Sequence, residues 1–153
     1  MIKFEAKGAD GLEVSKKLAD FPKEKPSLRS LMGTAQQAQG CNDEPGALRL
    51  YEQALKLYPT DPGLLNAAAW FMLTAKDEKV RDAKRALPLA REAVKLTKEA
   101  DGNILDTLAK ALHDSGELAE SVKYAKLAAA LAKDNEEIVK RAEEYAKELE
   151  QRK

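Results

Sequence analysis

Residues 105–125, LDTLAKALHDSGELAESVKYA, hold two short helical patterns that meet at Gly116, and neither carries enough large apolar residues to bury itself. In the first, Leu105, Leu108, Ala109 and Leu112 recur at i, i+3, i+4 and i+7, the spacing of one helix face. In the second, the positions that should meet a core hold the small residues Ser121, Ala125 and Ala128. Small side chains let neighbouring helices approach to about 8–10 Å, so alanine there is a contact residue. A helix pair this thin gains stability only when it is stacked on another.

The same design recurs upstream. Two alanines seven residues apart, Ala47 and Ala54, lie in GALRLYEQALKLYPTD, and Ala86 and Ala93 repeat the spacing in KRALPLAREAVKLTKE, matching Ser121 and Ala128 in LAESVKYAKLAAALAKD. Tyr51, Ala90 and Ala125 fall midway. From Ala54 to Ala93 is 39 residues and from Ala93 to Ala128 is 35, as one period near 34–35 with an insertion would give. The insertion is KDEKVRD at 76–82, charged except for Val80, and it is expected to be an exposed loop.

Each second helix is preceded by a first. Leu65, Ala68, Ala69 and Met72 form the stripe of the middle unit, and Leu28, Leu31, Ala35 and Ala38 that of the first. Asp61 before Pro62 reads as an N-cap followed by a proline at the first helical position, where a missing N–H costs nothing. Ser27, Asp43, Asp82 and Asp101 are the other expected caps. Pro88, six residues past Asp82, either delays the start of its helix or removes a hydrogen bond from it. In the last stretch Ile138, Ala142, Tyr145 and Leu149 share one stripe with charge elsewhere, which is the lid a stack of repeats needs.

Hairpins of about 34 residues with small residues at fixed places resemble the tetratricopeptide repeat. Ala47, Tyr51, Ala54 and Pro59 match its second helix in the first unit. In the third, Leu105, Leu108, Ala109, Leu112, Gly116 and Ala128 fit, while Ser121, Ala125 and Lys133 depart from the usual alanine, aromatic and proline. The middle unit is similar to a bacterial variant with a longer internal link. The resemblance implies an all-α, right-handed α-α superhelix of three hairpins, at 27–60, 61–99 and 100–133, closed by a capping helix at 134–153. Residues 1–26 are left as an N-terminal arm. There Ile2, Phe4 and Ala6 alternate as in a strand, GLEVSKKLADF suits one short helix, and packing of the arm into a groove or onto a second copy of the chain is expected to allow a homo-oligomer.

Composition narrows the function. Charged residues make up 34% of the 153, but 26 basic balance 26 acidic side chains and the signs are interspersed, so the clustered cations a nucleic-acid binder needs are missing. MIKFEAKGADG is no signal peptide and no run has the length of a membrane span, which makes the cytoplasm the default expectation, provided Met1 is the native start. His113 is the only histidine and Cys41, next to Asp43 and Glu44, the only cysteine, so neither a metal site nor a nucleophile with its base can be assembled. The eight glycines are dispersed and form no phosphate loop. The carboxylates at 136–137 and 143–144 read as a solvated face paired with Lys140 and Lys147 at i+4. No catalytic residue, metal or cofactor is expected.

Co-chaperone members of the family grip a terminal carboxylate with Lys, Asn and Arg; the corresponding places here hold Met32, Gln36, Ala67, Asn103 and Thr107, so that clamp is missing. By register the inner face presents Gln36, Asn66, Asn103, Thr107 and Lys110, a polar lining suited to a peptide with backbone groups to satisfy. Trp70 has two readings, a core anchor beside Leu65 and Ala68 or a groove residue offering a rigid amphipathic ring, and the first is favoured. The expected function is a non-enzymatic scaffold or adaptor that holds a segment of another protein. The alternatives are a homo-oligomerisation module and an accessory region of a larger enzyme or sensor.

Overall fold

A computed structural model describes residues 24–153 as seven α-helices: α1 (Leu28–Gly40), α2 (Glu44–Leu57), α3 (Pro62–Thr74), α4 (Ala83–Leu96), α5 (Gly102–Asp114), α6 (Leu118–Leu131) and α7 (Glu136–Gln151). The strand-like and helical patterns of the arm lie outside the described residues. Side-chain caps start six of the helices. Ser27, Asp43, Asp61, Asp82, Asp101 and Asn135 each accept from a backbone N–H in the first turn that follows. The start of α6 lacks such a cap, and Gly116, in the left-handed region at φ 86°, turns the chain into it.

The helices pair as α1 with α2, α3 with α4, and α5 with α6, while α7 packs on α6 and reaches α5. Neighbouring pairs meet through α2 and α3, α4 and α5, and α3 and α5, giving an all-α solenoid. The alanines sit where the stacking needs them: Ala47, Ala86, Ala90, Ala93 and Ala128 are wholly buried, and Ala54 and Ala125 nearly so. A close approach lies at the start of α5, where a Cβ on Gly102 would lie 2.9 Å from the Cβ of Ala132.

No pair owns its core. One buried cluster joins Leu65 and Met72 of α3, Ala90 of α4, Leu105 and Leu108 of α5, Ala128 of α6 and Ile138 of α7. A second spans α1 to α3, and a third holds α7 through Ala142 and Tyr145 against Leu118, Val122 and Ala125. Burying a side chain of leucine size contributes about 1.5–3 kcal/mol. Several such terms here cross from one pair to the next.

Four local details add to the sequence reading. The 76–82 link is held down as well as exposed: Val80 is buried, and the backbone N–H groups of Lys76 and Asp77 donate to the Glu44 carboxylate at 3.0 and 2.7 Å. Those donors, Asp77 first, hold the Glu44 carboxyl below the ordinary glutamate range. Pro88 lies inside α4 without delaying its start. It leaves the Lys84 carbonyl without its helical donor, and Lys84 and Pro88 are both exposed, so water can supply one. Ser121 is no defect at an alanine position, because its buried hydroxyl donates to the Ala109 carbonyl at 2.7 Å. Lys140 makes an i+4 pair as the spacing suggests, forward with Glu144 at 3.9 Å.

Candidate functional site

The first helices of successive pairs present their polar stripes on one side of the solenoid. Along α5, Asn103, Asp106, Thr107 and Lys110 follow the i, i+3, i+4, i+7 rule just as its apolar stripe does. On α3, Asn66 and Trp70 are one turn apart and face the same way. The cap Asn135 and the first two turns of α7 supply the third wall, with Glu137, Ile138 and Arg141. Together they enclose a pocket of about 240 Å³ reaching from Asn66 and Trp70 across to Arg141.

The sequence candidates divide. Asn66, Trp70, Asn103 and Thr107 are brought together in the pocket. Trp70 is not a core residue: it is half-buried, its ring turned to the pocket with the Arg141 guanidinium carbon 5.3 Å from the ring centroid. Thr107 is only 2% exposed and its hydroxyl donates to the Asn103 carbonyl at 3.1 Å, so it is floor and not a contact surface. Lys110 lies outside the pocket, tied to Asp114 at 2.9 Å. Gln36 belongs to a separate hollow on α1 beside Leu28, Arg29 and Met32.

Two residues that sequence reading passed over organise the site. Asp106 is 5% exposed, and one of its carboxylate oxygens accepts from the Arg141 guanidinium. The other oxygen, Oδ1, is buried with no hydrogen-bond partner, and so is Oδ1 of Asn66. Burial pushes the Asp106 carboxyl above the ordinary aspartate range, against the opposing pull of Arg141. The missing position in the α5 stripe was the available signal for Asp106. Nothing local pointed to Arg141, which reads as one more charge on a solvated face.

Behind the pocket, α7 is seated by His113. Its ring stacks on Tyr145 with centroids 4.2 Å apart and planes 6° from parallel, and its Nε2 lies 2.7 Å from a Glu148 oxygen. This contact, ahead of Arg152, holds the Glu148 carboxyl below the ordinary glutamate range. His113 is thus a seat for the cap helix. Among the described residues, no group of three or more His, Cys, Asp or Glu is placed to hold a metal ion.

The opposite side has a larger cleft, about 440 Å³, between α4 and α6. Its polar groups are Lys95, Lys98, Glu99, Tyr124 and Arg91, the last of which already forms two hydrogen bonds with Glu120 at 2.8 and 3.0 Å. Among the described residues, the buried side-chain atoms without partners both belong to the pocket between α3, α5 and α7.

The architecture defines a class, the tetratricopeptide-like α-solenoids. No family model matches the chain, and no curated protein matches it in sequence. Solved structures do match. A crystal structure of MamA protein superposes with a TM-score of 0.66 at 16% identity over 80% of this chain and 63% of that one. A structure titled MamA MSR-1 C2 gives 0.66 at 13% identity, covering 93% and 78%, and MamA 41-end from Desulfovibrio magneticus RS-1 gives 0.63 at 18%, covering 94% and 84%. The chain spans less than two thirds of the first of these. At such identities the likeness is one of fold. No helix among the described residues is long and apolar enough to cross a membrane.

Proposed function

We propose that this chain is a non-enzymatic interaction scaffold whose first-helix face holds an extended or helical segment of another protein. In this reading it is a tetratricopeptide array of three repeats, 27–60, 61–99 and 100–133, with a capping helix at 134–153, and the 76–82 link is the lengthened connection of a bacterial variant. One observation carries the function: a half-buried tryptophan on α3 flanked by the side chains of α5 and of the cap helix α7, on the side of the stack that no further helix among the described residues covers. A rigid ring with an apolar body and a polar edge, set among amides, is the composition of an interface hot spot. Because the stack holds these side chains in place beforehand, a partner segment loses less ordering entropy on the scaffold's side.

The test is site-specific photo-crosslinking in extracts of the native host. A benzoylphenylalanine at Asn103, exposed on the first-helix face, is expected to give a discrete protein adduct that disappears in a Trp70→Ala background. The same probe at Lys84, exposed on α4, is expected to give none. Adducts from Lys84 alone, or equal adducts from both places, would place the interaction surface elsewhere.

A further inference from the structure

The pocket has a chemical asymmetry that narrows what enters it. Its deepest unfilled groups, Asp106 Oδ1 and Asn66 Oδ1, are both acceptors. A buried acceptor without a donor is costly, more so when the group is charged, so a donor placed there relieves that cost. The formal charges lining the pocket are Asp106 and Glu137 against Arg141, a net of one negative. Arg141 spends its guanidinium on the other Asp106 oxygen and on the face of Trp70, which leaves Oδ1 free for a second cation.

From this we infer that the pocket receives a lysine side chain of the partner protein. The inference rests on the scaffold reading above and names the residue type the site selects. An ammonium group carries three donors and no acceptor, which suits a pocket lined by two unpartnered carbonyl-type oxygens and the Glu137 side chain. Its slender stem reaches a carboxylate that is 5% exposed, with the Trp70 ring as an apolar wall beside it. A guanidinium gains its advantage by stacking, and Arg141 already lies over the Trp70 ring. A free N-terminal amine is attached directly to a peptide backbone and cannot extend to Oδ1.

Trp70 is the chain's only tryptophan, so its emission reports on this pocket alone. Four blocked pentapeptides, each with a single central lysine, norleucine, arginine or glutamate among alanines, are titrated into the full chain. The lysine peptide is expected to change Trp70 emission saturably and to bind at least about tenfold more tightly than the norleucine peptide, as one charge-assisted hydrogen bond implies. Asp106→Asn is expected to abolish that preference. Since this change also disturbs Arg141, Asn66→Ala is measured alongside and is expected to weaken the lysine peptide while leaving the norleucine peptide unchanged, with helicity of both variants checked by circular dichroism. Equal binding of lysine and norleucine peptides, or tighter binding of arginine, would overturn the lysine assignment and leave the scaffold reading intact. No emission change with any peptide would also overturn it, and the Asn103 crosslink would still decide whether the face binds protein.

Discussion

Gly102 and Ser121 show how closely individual side chains are specified. Both lie at contacts between α5 and α6, yet they tolerate change differently. A methyl on Gly102 would come within 2.9 Å of the Ala132 Cβ and 3.1 Å of the Ala128 carbonyl oxygen, neither of which belongs to a flexible side chain. Gly102→Ala is therefore expected to lower stability by about 1–3 kcal/mol, the usual cost of overpacking, although alanine is the better helix former by about 1 kcal/mol. Chemical denaturation of the two proteins measures this. A stabilised variant would mean that the α5–α6 contact is looser than described. Ser121 needs no such stringency, because the Ala109 carbonyl it bonds also lies inside α5 and keeps its helical donor. At this position a serine fits where its neighbours carry alanine, because the Ala109 carbonyl offers it an acceptor.

Among the elements, α7 has two duties. It buries Ile138, Ala142 and Tyr145 over the end of the stack, and it supplies Arg141 to the pocket. Its seat includes the His113–Glu148 contact, whose pH dependence has a definite sign. The folded-state pKa of Glu148 is depressed, so the contact stabilises the fold above the ordinary glutamate pKa of about 4.3, and the contribution fades as pH falls through the lower folded value. Glu44 and Glu120 are depressed for similar reasons, and Asp106 is raised, so its contribution runs the opposite way. Comparing the protein with Glu148→Gln cancels those other groups. The variant is expected to melt at a slightly lower temperature at neutral pH, since the pair is partly exposed, and the two melting curves should converge as pH falls below the depressed folded value. A gap that stays constant across the range would show that Glu148 does not help to seat α7.

For the molecule as a whole, helix positions, caps and alanine contacts were legible in the sequence because periodicity and capping are local. Asp43, Asp61 and Asp101 each act within a few residues of themselves, and Ala86, Ala90 and Ala93 carry the helical period openly. The polar half of the pocket was partly legible for the same reason, through Asn66, Asn103 and Thr107. Asp106 and Arg141 were not, because they are 35 residues apart and each alone looks like a solvated charge. Which way Trp70 turns likewise depends on α7, whose position the α3 sequence cannot reveal. These long-range dependencies all follow from one property, that each helix pair is completed by its neighbours. A thermal melt of residues 61–99 alone, followed by circular dichroism beside the full chain, puts that property to the test. The isolated hairpin, α3 and α4 without α2 or α5, is expected to be largely unfolded at room temperature with no cooperative transition, while the full chain melts cooperatively. A fragment with native helicity and its own sharp transition would contradict the interdependence on which the stack, the pocket and the proposed recognition rest.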